Sequence, residues 1–92
     1  MKSGVYLLKA PYSGTEMLKI GFSKNILKRI KTHISSNPLI EVIGYIESND
    51  YKRLEKDIHY KCRSLHYKLE WFYNRDVIIE YFKSFESFKE IF

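Results

Sequence analysis

The sequence predicts an α+β domain: a small three-stranded antiparallel sheet flanked by helices, in the order ββαβαα. Three observations carry this. Strand formers cluster in two short runs near the start, joined by a glycine-bearing turn. Apolar residues recur every three or four positions in three later segments. A further strand-forming run lies between the first two of those segments, which gives an antiparallel sheet with helices packed on it.

The first run, "GVYLLKAPY" (4–12), is expected to end at Pro11, and "SGTE" (13–16) supplies turn residues. The second run is "MLKIGFS" (17–23), and the two read as a β-hairpin. Ser23 is the expected N-cap of the first helix, "KNILKRIKTHISS", in which Ile26, Leu27, Ile30 and Ile34 share one face; "NP" at 37–38 ends it. "LIEVIGYIES" (39–48) is the third strand, with β-formers such as Val42 and Tyr45. Residues 48–50 offer caps for a second helix, "DYKRLEKDIHYKCRSL", with an apolar stripe of Tyr51, Leu54, Ile58, Cys62 and Leu65. "LEWFY" (69–73) reads as a loop or a very short strand. A last helix over about 75–92, opened by Asn74 or Asp76, carries Ile78, Tyr81, Phe82, Phe85, Phe88 and Phe92. The 92 residues make a single domain, with its core over about 3–73.

Composition narrows the function. Hydrophobic residues make up 45% and aromatic residues 16%, enough for a core without disulfide staples. A lone cysteine, Cys62, cannot pair within the chain and fits a reducing, intracellular compartment. The absence of a membrane-length apolar run or a signal-type N-terminus predicts a soluble protein with no membrane partner. The net charge is +5, and its placement is lopsided. Residues 1–38 hold seven Lys/Arg and one acid, whereas residues 39–92 hold nine Lys/Arg and ten Asp/Glu. A one-sided basic surface is the footprint of a polyanion binder. The four glycines are isolated, so no phosphate-cradling nucleotide loop and no nucleotide cofactor are expected.

Two helical pairs stand at the border between core and solvent. Arg29 and His33 are spaced i, i+4 beside the stripe of Ile26, Ile30 and Ile34, while Lys24, Lys28 and Lys31 project elsewhere. Glu55 and His59 form the same spacing beside Leu54 and Ile58. A carboxylate so placed can hold a hard divalent cation; on helical pattern alone it reads first as a partner for Lys52 or Lys56, or as an exposed acid with no task. Cys62, within its apolar stripe, reads as buried and inert.

These residues coincide with a known pattern. "GVY" at 4–6 followed by "KIG" at 19–21 resembles the paired signature of the GIY-YIG nuclease superfamily. Members carry an arginine eight residues after the second motif's glycine, where this chain has Arg29, and some carry a histidine one turn later, where it has His33. Their metal-binding glutamate opens a helical "LE" segment, matched by "LEKDI" at 54–58 and Glu55. The resemblance spans roughly Ser3 to Tyr73. "KIG" together with "EWF" (70–72) is similar to a virus- and phage-rich branch in which a histidine follows the glutamate by one turn, as His59 does. Two departures stand out: Lys19 replaces a tyrosine of the founding motif, and Leu69 precedes "EWF" where relatives tend to have glycine.

The resemblance implies a metal-dependent endonuclease acting on DNA phosphodiesters. Glu55 would hold Mg2+ or Mn2+, and Arg29 would grip the scissile phosphate. Tyr6 would be the general base, with Lys19 lowering its pKa or touching phosphate; His33 or His59 could take the base role instead. Lys19, Lys24, Lys28, Arg29 and Lys31 would contact DNA. Two other readings stay open: a DNA-binding module of the same fold without turnover, and an interaction domain using the aromatic C-terminal helix. A homodimer or a separate specificity partner is compatible with each, because no DNA-reading domain fits beside the core.

Overall fold

The computed structural model describes residues 2–90. Its centre is a six-stranded sheet in which every neighbouring pair runs antiparallel. In chain order the elements are β1 (Gly4–Tyr12), β2 (Thr15–Ser23), α1 (Ile26–Ser36), β3 (Glu41–Glu47), α2 (Tyr51–Lys61), a 3-10 turn (Arg63–Leu65), β4 (His66–Lys68), β5 (Trp71–Tyr73), α3 (Asp76–Lys83) and β6 (Phe88–Lys89). Across the sheet the order is β4-β5-β2-β1-β3-β6.

The expected hairpin forms, closed by a two-residue turn. Ser13 and Gly14 both have positive φ, 54° and 86°, between the paired residues Tyr12 and Thr15. That geometry suits the right-handed twist of the flanking strands, and Gly14 adopts it freely. Pro11 does not end β1, as the sequence suggested. Hydrogen-bonded and non-bonded pairs alternate along an antiparallel ladder, so Pro11, next to the closing pair, points its nitrogen away from β2. On that side β3 pairs with β1 only as far as Lys9, and the missing N–H costs no ladder bond.

The sheet is covered on both faces. Val5, Tyr6, Leu7 and Leu8 are buried in succession, because β1 is the central strand and both of its sides meet helices. Val5, Leu7, Leu18, Ile20, Ile46 and Phe72 pack against Ile58 of α2 and Ile78 and Phe82 of α3. On the other face Tyr6, Leu8 and Tyr45 pack against Ile26 and Ile30 of α1. Each such aliphatic side chain withdrawn from water contributes about 1.5–3 kcal/mol. Cys62 is buried in the first cluster, and burial pushes its thiol pKa up.

Three expectations about the elements change. The sheet has six strands, not three: "EWF" contributes to β5, β4 pairs with it, and β6 adds to β3. The last helix stops at Lys83. Ser84 closes it with N–H bonds to the carbonyls of Glu80 and Tyr81, and its hydroxyl donates to Tyr81 O at 2.6 Å. Phe88 then pairs with Ile46 as strand, since a phenylalanine three or four positions on can reach the same core from an extended chain. The expected continuation through Phe92 lies outside the described residues. Ser23 is not the N-cap of α1. Asn25 holds that place, its Oδ1 accepting from Lys28 N–H, while Ser23 Oγ accepts from Asn25 N–H.

Candidate functional site

Of the polar side chains flagged in the sequence, Tyr6, Arg29 and His33 come together at one end of β1 and β2. Tyr6 lies opposite Gly21, and the two share the α1 face of the sheet. A Cβ at position 21 would collide with the Tyr6 phenol and lie 2.8 Å from Glu70 Oε1. The glycine of "KIG" is therefore the floor on which two functional groups rest. The Tyr6 ring is buried, and its hydroxyl donates to Glu70 Oε1 at 3.3 Å and contacts His33 Nε2 at 3.2 Å. The Tyr6 and His33 rings meet edge to face, centroids 5.4 Å apart.

α1 brings Arg29 and His33 to this place. Ile26 N–H donates to Lys2 O at 2.8 Å, fixing the helix start beside the start of β1, and the buried Ile26 and Ile30 lock its rotation. Arg29 keeps an exposed position, and its positive charge acts on the Tyr6 hydroxyl. Burial nevertheless pushes the Tyr6 pKa well above the usual phenol range, and the Glu70 carboxylate adds to that rise, outweighing Arg29. His33 moves the other way. Burial first, then the charges of Lys19 and Arg29, hold its pKa below the usual imidazole value.

Arg29 is the cation that opposes the rise of the Tyr6 pKa. Lys19 lies half-buried with Nζ 5.4 Å from the centroid of the Trp71 ring, and its field is felt by His33. The substitution for tyrosine thus puts a cation beside the imidazole and leaves the phenol of β1 as the site's tyrosine.

Glu55 and His59 come from α2, across the sheet. His59 Nε2 is 3.1 Å from Ile20 O and 3.4 Å from Glu55 Oε2, so this nitrogen faces two acceptors and carries the hydrogen. The imidazole packs edge-on against Phe72, 4.8 Å between centroids. His59 is thereby a strut that ties Glu55 to β2. The Glu55 carboxyl is pushed above its usual pKa by burial; the His59 charge lowers it and the Glu70 charge raises it. Two carboxylates from different elements therefore share one electrostatic neighbourhood.

Glu70 was not among the site residues expected from the sequence. Its backbone carbonyl accepts from Ile20 N–H at 2.9 Å, which holds it beside Gly21, and Leu69 before it has φ of 53°. The signal was present in "LEWF", where Leu69 stands at a position suited to glycine, but nothing local says that the next side chain reaches Tyr6. Lys24, Lys28 and Arg29 line a surface groove of about 330 Å³ with Ser23, Asn25 and Thr32. Lys31, also exposed, lies outside that lining.

Among the described residues no three His, Cys, Asp or Glu side chains converge into a metal-binding cluster. A hard divalent cation needs no such cage: magnesium commonly takes one or two carboxylates and fills its shell with water and phosphate oxygens. Glu55, with its pKa raised by burial and a second carboxylate nearby, fits that donor set.

The two-sided α+β sheet thus brings Tyr6, His33 and Glu70 into contact at one end of its central strands, beside the charge of Arg29. The chain belongs to the T5orf172 domain family, which it matches over residues 3–86. This phage-associated domain is related to GIY-YIG/HNH-like nuclease folds. No curated protein and no solved structure matches the chain. Among the described residues no helix is long and apolar enough to cross a membrane.

Proposed function

We propose that this domain is a metal-dependent endonuclease that hydrolyses DNA phosphodiester bonds. The observation that carries the reading is the Tyr6 hydroxyl held between His33 Nε2 at 3.2 Å and Glu70 Oε1 at 3.3 Å, beside the charge of Arg29. A sheet tyrosine with only a packing role has no need of three polar partners, two from α1 and one from the turn before β5.

The geometry supports the following roles. Arg29, exposed at the mouth of the site and lining the basic groove, binds the scissile phosphate and offsets the charge that builds in the transition state. Lys24 and Lys28 hold neighbouring phosphates in the same groove. His33 is the better general base. Its depressed pKa leaves it neutral at pH 7, whereas the raised pKa of Tyr6 keeps the phenol protonated. Tyr6 then orients His33 and the attacking water. Glu55, held by His59, is the ligand for Mg2+ or Mn2+, which when bound supplies Lewis-acid stabilisation of the phosphate and the leaving oxygen. Burial, with the charges of Lys19 and Arg29, keeps His33 unprotonated.

The interaction-domain reading loses its surface. Tyr81, Phe85 and Phe88 pack against the core, and Phe82 is fully buried.

The test is cleavage of supercoiled, linear and branched DNA with magnesium or manganese. Nicking or cutting abolished by EDTA and by Glu55→Ala is expected. Equal cutting by purified Glu55→Ala sinks the assignment, and improved DNA binding by that variant with no cutting in either form selects the binding module.

A further inference from the structure

Beyond the phosphate site, the same face of the sheet carries an aromatic wing that neither Arg29 nor the carboxylates use. Trp71 pairs with Lys19 and Tyr73 with Met17 in the β2–β5 ladder, and directly opposed residues share a face. By alternation this is the face of Tyr6, Leu8 and Tyr12. α1 packs over Tyr6, Leu8 and Tyr45 at the other side of that face. On the wing, Tyr12 stacks on Trp71 with centroids 4.4 Å apart and planes within 7°. Tyr67 meets Tyr12 and Tyr73 edge-on at 6.1 and 5.6 Å. Tyr67 and Tyr73 remain 38% and 39% exposed.

We propose that Tyr12, Tyr67, Trp71 and Tyr73 form a stacking platform for unpaired bases of the DNA strand whose phosphate enters the site. Two features select a nucleic-acid strand over an apolar partner. The wing is edged by cations: Lys19 Nζ lies 5.4 Å from the Trp71 ring, Arg75 Cζ lies 5.9 Å from the Tyr73 ring, and the exposed Lys68 is opposite Trp71 in the β4–β5 ladder. Among the described residues neither Lys19 nor Arg75 is paired with a carboxylate; the ion pairs of Lys9 with Glu16 and Glu41 belong to the opposite face. The wing is also continuous with the site. Trp71 follows Glu70 directly, and Lys19 is two residues from Gly21, about 7 Å along the strand. One extended nucleotide covers that distance. Aromatic faces beside a cationic track are the arrangement by which unpaired strands are held, because every base offers a π-face.

The platform deepens the endonuclease reading and rests on it for where the strand enters, so its test is run without cleavage. Trp71 is the single tryptophan of the chain, and its emission reports on the wing alone. In EDTA, the full chain is titrated with a short oligothymidylate and, separately, with a blunt duplex. Quenching of Trp71 by the single strand at several-fold lower concentration than by the duplex is expected. Tyr67→Ala and Tyr73→Ala should each weaken single-strand binding by about tenfold while far-UV circular dichroism stays unchanged. No quenching by oligothymidylate, equal quenching by the duplex, or folded variants that bind as wild type would each overturn the platform. The wild-type titration needs no substitution, so it decides even if a variant fails to fold. Quenching without any cleavage in the metal assay removes the hydrolase and leaves the platform; cleavage without quenching does the reverse.

Discussion

Tyr6 and His33, from the central strand and from α1, meet with hydroxyl and Nε2 3.2 Å apart and their rings edge to face. The contact joins a group whose pKa is raised to one whose pKa is lowered. Tyr6→Phe keeps the ring and removes the hydroxyl. It should cut turnover by about 10²-fold or more, the scale of a displaced proton-transfer group. Stability should move far less, since the buried ring is retained. Single-turnover cleavage and urea unfolding of the same preparation measure the two effects, and a small loss of turnover would return Tyr6 to a packing role.

His33 sets a pH window. Its folded pKa lies below the unfolded value of about 6.5, so between the two the unfolded chain binds more protons. Stability is therefore full above about pH 6.5 and falls as pH drops through the folded value. Activity that needs neutral His33 should have its acid limb below pH 6.5, because the imidazole resists protonation. Lys19→Met removes one of the charges responsible and should move that limb upward. A limb unmoved by the substitution would exclude Lys19 from tuning His33.

Glu55 points the other way. Burial and Glu70 raise its pKa, so ionised Glu55 is disfavoured by the fold; its stabilising contribution is present below the unfolded pKa and lost as pH rises through the folded one. At pH 7 the metal-free protein thus carries a strained carboxylate. Glu55→Gln should raise the melting temperature of the metal-free protein while erasing the rise that Mg2+ or Mn2+ gives wild type. Thermal unfolding with and without metal shows both. An equal metal response in the variant would place the cation elsewhere.

Gly21→Ala would push a methyl group into the Tyr6 phenol and toward Glu70. Overpacking of this kind costs about 1–3 kcal/mol, and the displaced hydroxyl should cost turnover beyond what stability explains. Comparison with Tyr6→Phe in a double-mutant cycle is the check: the two losses should not add, since both act on one hydroxyl.

Leu69 holds φ of 53° with its side chain 73% exposed, so little burial offsets the strain of a left-handed leucine. Leu69→Gly should stabilise the domain by about 1 kcal/mol, and Leu69→Ala should not. Urea midpoints measure this directly.

The sequence by itself determined the hairpin, α1, β3 and α2, because their signals are local: strand formers on both sides of Ser13–Gly14, and isoleucines at helical spacing in "ILKRIKTHI". Through its resemblance to the GIY-YIG pattern it also marked Tyr6, Arg29, His33 and Glu55 as candidates. The ends of elements were less legible. Phe85 and Phe88 satisfy a helical period and an extended return to the core equally well, and only the space beside Ile46 selects the strand. Short β4 and β5 lack a pattern of their own; they are strands because β2 offers an unpaired edge. Tertiary structure alone decided that Glu70 reaches Tyr6 across 64 residues, that the charge of Lys19 acts on His33, and that His59 props Glu55 against Ile20. Those contacts depend on which groups the six-stranded sheet and its two helical layers bring within a few ångströms, and spacing along a chain does not encode a distance across it.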